Sequence, residues 1–309
     1  STPRRGGRIR VAGTTTTASE TLDPAKQANQ MDYARGHMLY NGLTALDGAL
    51  TPQPALAESF STQDAKTWVF TLRKGVEFHD GKALSSADVV FSLLRHKDPA
   101  TGSKVKALAE QIASVRATGP AEVTLELAAP NVDLPAILGT FHFHIVKAGT
   151  TDFSKGIGTG PFKLKEFTPG VRSVVVRNER YWKPDRPYLD EIEFTGIADE
   201  KARVSALLHG DFDLVAGIDP RSVGRVKSTK GYAIFTTQGS HYTNLVMRRD
   251  TGPGANADFV LAMKHLMHRE QMRKIVALDG SALHLAAYVT EPGTEVAMVL
   301  RRSKANAAD

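Results

Sequence analysis

The chain contains no cysteine, which excludes a disulfide scaffold, a thiolate nucleophile and a cysteine metal site. Nowhere do eighteen apolar residues run together, so the sequence offers no transmembrane helix. The opening residues, STPRRGGRIRV, lack the apolar core of a signal peptide, as expected of a mature export product. Also missing are a GxSxG elbow, an SxxK at a helix start and an HExxH pair, the spacings that hydrolytic and zinc chemistry need. No basic stripe interleaved with aromatics points to nucleic acid. Enzyme function and nucleic-acid binding therefore find no support, and no cofactor is expected. No fixed-period repeat and no long Pro- or Ser-rich linker divides the chain.

What is present is an ordinary globular composition. The 309 residues are 41% hydrophobic and 23% charged, enough for two cores. Lys and Arg total 39 against 33 acidic residues, a formal charge of +6. That excess suits an anionic solute or simply solubility.

The segment Trp68 to Leu94, WVFTLRKGVEFHDGKALSSADVVFSLL, is the most legible. Trp68, Phe70 and Leu72 alternate with Val69, Thr71 and Arg73, the period of a strand with one more buried face. Lys74-Gly75 and Asp80-Gly81 supply turns. Ser85, three residues before Asp88, then reads as a capping box that starts a helix through Val90, Leu93 and Leu94.

Elsewhere, Val123, Leu125 and Leu127 repeat the alternation, as do Val174 with Val176 and Ile192 with Phe194. A first strand is expected at Gly7–Ala12. Asp199 to His209 reads as a helix with an aspartate cap and a stop at Gly210, leading to an apolar run at Phe212–Val215. Phe259, Met263 and Leu266 continue at helical spacing to Ile275, with the methionines as core filler. This is an α/β pattern. In such domains ligands sit at the carboxyl ends of strands, so the run Thr14–Thr17, and Thr15 and Thr16 in particular, either borders a cleft or forms a polar turn.

Several blocks together carry a family resemblance. TLDP at Thr21–Pro24, LYNGLTALD at Leu39–Asp47, PALAESF at Pro54–Phe60, LRKGV with FHDG and the capped helix, GTGPFKL at Gly158–Leu164, RNERYW at Arg177–Trp182, PYLDEIEF at Pro187–Phe194 and LLHGDFDLV at Leu207–Val215 stand in one order. Over roughly residues 8 to 278, that order resembles the extracytoplasmic solute-binding proteins of ABC importers, family 5, the dipeptide, oligopeptide and nickel group.

The resemblance implies a periplasmic-binding-protein-like fold of type II: two α/β lobes around a cleft, with an extra subdomain inserted in the first lobe. The core of that lobe is expected at residues 1–44 and 169–270, the inserted mixed α+β subdomain at 45–168, and the start of a second lobe or an aberrant tail at 271–309. The second lobe is expected to be largely missing. The function implied is to bind a small solute (a peptide, an opine or a metal chelate) in the inter-lobe cleft and deliver it to a membrane permease, outside the cytoplasm and without transforming it. A full-length chain is expected to be a monomer, and a truncated one to form oligomers. The rival readings are a non-transporting fragment or protein-interaction module, and a His-dependent metalloenzyme.

Candidate solute contacts follow from the same resemblance. His142 and His144 in TFHFHIV share one face if the segment is extended, and stand near the cleft, with structural or metal-binding roles as alternatives. Tyr40 and Asn41 lie where the chain turns toward the cleft, with helix capping by Asn41 as the alternative. Tyr242 and Asn244 sit in a strand leading to the lobe connection. Two further motifs are read as structure: His79-Asp80 as part of a hairpin, and Gly156–Gly160 as a turn, because Pro161-Phe162 and a strand-like sequence follow where a phosphate loop needs a helix.

Overall fold

In the computed structural model, which describes residues 4–235, 244–267, 283–287 and 297–302, the chain divides into two units, residues 1–218 and 219–309. The first begins with strand β1 (Arg8–Gly13) and helix α1 (Gln30–Leu39). Asn29 starts α1 by accepting the Asp32 N–H at 3.0 Å, which satisfies one of the orphan donors of a first turn. A short hairpin, β2 (Thr44–Leu46) and β3 (Pro52–Pro54), follows. Then come β4 (Ala57–Thr62), β5 (Thr67–Leu72), α2 (Ser86–Leu94), α3 (Lys106–Ala109), β6 (Ile112–Gly119), β7 (Glu122–Leu127) and α4 (Leu134–Leu138). The unit closes with β8 (Phe162–Thr168), β9 (Arg172–Arg177), β10 (Glu191–Gly196), α5 (Glu200–Leu208) and β11 (Leu214–Val215).

Two main sheets result. One is antiparallel, in the order β4-β5-β7-β6, and α2 packs on it. Trp68, Phe70 and Leu72 of β5 and Val123, Leu125 and Leu127 of β7 turn to the same side and meet Val89 and Leu93 of α2 in one core. Burying a side chain such as Leu93 is worth about 1.5–3 kcal/mol. The other sheet is mixed, in the order β11-β1-β10-β9-β8, and its core joins Val11, Ile192, Phe194 and Val175 to Met31 and Leu39 of α1. Strand β8, at the end of the stretch 45–168, hydrogen-bonds to β9 and so belongs to this second sheet.

Asp88 fixes the start of α2. Its fully buried carboxylate accepts the Ser85 N–H and hydroxyl at 2.8 Å, the Lys82 ammonium at 2.9 Å and the Ala148 N–H at 2.8 Å. Burial alone would raise its pKa, but the Ala148 N–H, Lys82 and Ser85 outweigh it and hold the carboxyl below its usual range. Ser85 thus donates its hydroxyl to Asp88, rather than only receiving an N–H as a simple cap would.

The glycines before β8 serve a close approach. The Gly160 N–H donates to the Leu39 carbonyl at 2.9 Å, and a Cβ on Gly158 or Gly160 would land on the Leu39 backbone. His79 completes the joint, with Nε2 3.0 Å from the Gly160 carbonyl oxygen and Nδ1 accepting the Gly158 N–H at 3.3 Å. This is the structural reading of both motifs.

The second unit contains α6 (Pro220–Ser228), β12 (Asn244–Val246), α7 (Ala257–Leu266), β13 (Leu283–Ala287) and β14 (Ala297–Arg302), with the strands in an antiparallel sheet ordered β12-β14-β13. The helical spacing that runs on to Ile275 enters residues 268–282, outside the described residues. Within α7 Val260 is buried and Met263, expected as core filler, is half-buried, while Phe259 and Leu266 are exposed. Arg301 and Arg302 end β14.

The glycine geometry makes a direct prediction. Gly160→Ala should lower unfolding free energy by about 2 kcal/mol or more, since overpacking meets backbone, whereas Gly48→Ala, with nothing near its Cβ, should stay within about 0.5 kcal/mol. Urea unfolding of the two variants measures the difference, and equal costs would refute the close-approach account.

Candidate functional site

Strand β1 runs parallel to both of its neighbours, β10 and β11. The carboxyl ends of the three strands, at Gly13, Gly196 and Val215, therefore open on one edge, the place where α/β sheets bind ligands. Thr14–Thr17 leave β1 there. Thr14 Oγ1 donates to Gln30 Oε1 at 3.1 Å, which ties the run to the start of α1. Thr15 is half-buried and Thr16 exposed. Among the described residues, the backbone and hydroxyl groups of both remain without a hydrogen-bond partner. Two glycines make room for the run: a Cβ on Gly196 would strike the Thr15 carbonyl, and one on Gly217 would lie 2.7 Å from Thr14 Cγ2.

Tyr40 and Asn41 lie at the opposite end of α1. A ten-residue helix is roughly 15 Å long, so Tyr40 and Asn41 stand well away from the threonines. Tyr40 is 1% exposed, and its hydroxyl donates to the Leu22 carbonyl at 2.9 Å. Burial drives its pKa well up. The ring that was expected to meet a solute is core. Asn41 follows the cap residue of α1, and its Oδ1 accepts from Thr159 Oγ1 and Trp182 Nε1, both at 3.0 Å. Its amide joins the GTG and RNERYW blocks instead of capping the helix.

His142 and His144 do not alternate along a strand, because Phe141–Phe143 form a 3₁₀ turn that buries Phe143. His142 Nε2 lies 2.9 Å from the Gln27 carbonyl oxygen. His144 is buried against the rings of His37 and Tyr40, with Nδ1 unpartnered. Burial, followed by the neighbouring His37 and His142, keeps its pKa well below the usual imidazole value. Tyr242 lies outside the described residues, and Asn244 is described only as backbone in β12. Among the described residues, no group of three or more His, Asp or Glu is placed to hold a metal ion, and no helix is long and apolar enough to cross a membrane.

The carboxyl edge also contains a residue that the sequence reading passed over. Arg203 lies on the buried stripe of α5 with Val204 and Leu207, and its guanidinium donates to carbonyls at the ends of β10 and β11. A charged residue four positions from Leu207, on the apolar side of the helix, was the available signal.

Three comparisons bear on this arrangement. The pattern of the bacterial extracellular solute-binding proteins, family 5 (middle region), matches residues 51–294. The glutathione-binding protein GsiB of Shigella boydii serotype 4 (strain Sb227) is 26% identical over 262 residues, covering 82% of this chain and 51% of that protein. The chain thus spans about half the length of the curated relatives it matches. Among solved structures, the oligopeptide-binding protein AppA from Bacillus subtilis, in complex with a nonapeptide, superposes with a TM-score of 0.80 at 24% identity, covering 92% of this chain and 58% of AppA. The periplasmic binding protein AgaA from A. tumefaciens R10, in complex with agropinic acid, gives 0.68 at 28% identity, covering 72% and 46%. The mixed α/β fold is that of type II periplasmic binding proteins.

Burial of the imidazoles predicts a fold that loses stability in acid. His96 is buried, with Nδ1 2.8 Å from Ser103 Oγ, and burial together with Arg95 lowers its pKa to about 4. The unfolded imidazole, near 6.5, binds protons more tightly than the folded one. The stability it contributes is therefore complete above about pH 6.5 and lost as pH falls toward 4. His96→Gln should lose about 2 kcal/mol less unfolding free energy between pH 7 and pH 5 than the parent chain, measured by urea unfolding at both values; parallel slopes would exclude this titration.

Proposed function

The chain belongs to the bacterial extracellular solute-binding proteins of family 5, and from that premise we propose that it binds a small solute outside the cytoplasm and delivers it to the membrane permease of an ABC importer. The observation that carries the reading is the open carboxyl edge of β10, β1 and β11, where Thr15 and Thr16 offer backbone groups that nothing among the described residues engages. Free N–H and C=O groups suit a solute with amide groups of its own, since main-chain pairing supplies affinity without demanding one side chain. A peptide or peptide-like solute fits best, and an opine or a metal chelate remains in the same class of small polar cargo. In this proposal residues 45–168 form largely the subdomain inserted in the first lobe, and the flanking segments its core. No step transforms the solute.

An association reading has one specific observation behind it. Phe235, Leu261 and Leu266 of the second unit are 91%, 53% and 69% exposed, and apolar surface of this kind serves contact with another chain. Sedimentation velocity that gives a dimer or larger species at micromolar concentration supports it, and a clean monomer removes it.

The solute proposal is tested by thermal unfolding and calorimetric titration of the whole chain with glutathione, a nonapeptide and agropinic acid. One of them should raise the melting temperature by about 5 °C at a hundred times its Kd. Thr15→Pro, which deletes a backbone donor at the edge, should weaken that binding at least tenfold. Absence of any shift with all three, or full affinity in Thr15→Pro, would count against the edge as the solute site.

A further inference from the structure

Arg203 is 3% exposed, and a buried charge is ordinarily matched by an opposite one. Among the described residues its guanidinium instead meets only carbonyl oxygens. Nε donates to Ala216 at 3.1 Å, Nη1 to Ile197 at 2.6 Å and to Ala198 at 3.0 Å, and Nη2 to Gly217 at 2.6 Å. Ile197 and Ala198 follow β10, and Ala216 and Gly217 follow β11. Because β1 lies between those strands, one side chain links the loops on either side of the end of β1.

The same loops hold the threonine run. The Ile197 N–H donates to the Gly13 carbonyl and the Ala216 N–H to the Ala12 carbonyl, each at 3.0 Å. Gly196 lies beneath the Thr15 carbonyl, and Gly217, at φ +66°, faces the Thr14 methyl. Movement of either loop would displace Thr14 and Thr15. A planar fork with five donors can span four carbonyls in this way, and an ammonium on a flexible stem cannot.

We propose that Arg203 is the positioning residue of the carboxyl-edge site: it clamps the loops after β10 and β11 at a fixed separation, so that Thr15 and Thr16 present their unpaired backbone groups to the solute. Arg203 touches no solute itself. The proposal rests on the reading of the edge as the solute site.

The test uses the whole chain with Arg203→Lys, and with Val174→Ala as a control that loosens the buried core of β9 away from the edge. Amide hydrogen exchange is read first. In Arg203→Lys the Ile197 and Ala216 amides should exchange at least tenfold faster than in the parent chain while the β9 amide of Val175 keeps its rate, and Val174→Ala should not show this contrast. Titration with glutathione, the nonapeptide and agropinic acid is read second, and Arg203→Lys should bind the tightest of them about tenfold more weakly, with Val174→Ala unchanged. Unaltered exchange at Ile197 and Ala216, uniform loosening of the whole sheet, or full affinity would each overturn the clamp. Should Arg203→Lys fail to fold, Gly217→Ala, which keeps Arg203 and pushes on Thr14, is expected to weaken the same probe, and unchanged affinity would overturn the proposal. If the parent chain binds none of the three, the solute reading fails and the site claim with it, while the exchange contrast still reports on the loops, so the two failures are distinguishable.

Discussion

The contact on which the first unit depends is the backbone-to-backbone approach of the GTG loop to the end of α1. A carbonyl at the close of a helix needs a donor, and Leu39 finds one in Gly160. Only glycine allows the loop so near. Once the loop is there, Thr159 reaches Asn41, and His79 reaches the carbonyl of Gly160 and the amide of Gly158. The FHDG hairpin then joins α2 through Lys82 and Asp88. Blocks scattered over more than a hundred residues converge because each supplies a partner that another leaves wanting, and the result ties the sheet built on β1 to the sheet built on β5.

Charge plays two different parts in this frame. At the seam it is paired: Arg95 grips Asp23 with two bonds of 2.8 Å, and Arg35 bridges Glu20 and Asp32, all with little exposure. Such networks contribute little net stability, since desolvation offsets much of the attraction. At the carboxyl edge the buried cation faces only peptide dipoles. Carbonyls at strand ends have lost their ladder partners, and a guanidinium supplies donors for several at once. The first arrangement fixes segments that must not move, and the second sets the spacing of loops beside an open backbone edge.

How much of this was legible in sequence depended on whether the signal was local. Period-2 alternation at Trp68–Leu72, the Ser85–Asp88 pair and the Asp199 cap are decided within a few residues, and the structure shows strand, helix and helix there. The first strand, expected at Gly7–Ala12, forms at Arg8–Gly13. The threonine run lies at the strand end where the pattern placed it. TFHFHIV alternates rings as a strand does, but the segment forms a 3₁₀ turn at Phe141–Phe143 with Phe143 buried. Tyr40 and Asn41 were judged from their positions near a turn, and their partners at Leu22, Thr159 and Trp182 lie up to 141 positions away. No local pattern reports such contacts. Arg203 was missed for a different reason: its helical spacing was visible, but the helix had been read for its ends alone.

The division between a stiff seam and an open edge also limits what this part of the chain can specify. Backbone groups such as those of Thr15 and Thr16 recognise an amide or a carboxylate but do not distinguish one side chain from another. Discrimination among solutes needs pockets of defined size and charge, while Tyr40 and His144 are buried and the Asn41 amide oxygen accepts from Thr159 and Trp182. Under the proposed reading, a site built in this way would recognise the class of solute through main-chain pairing and leave the choice within that class to side chains.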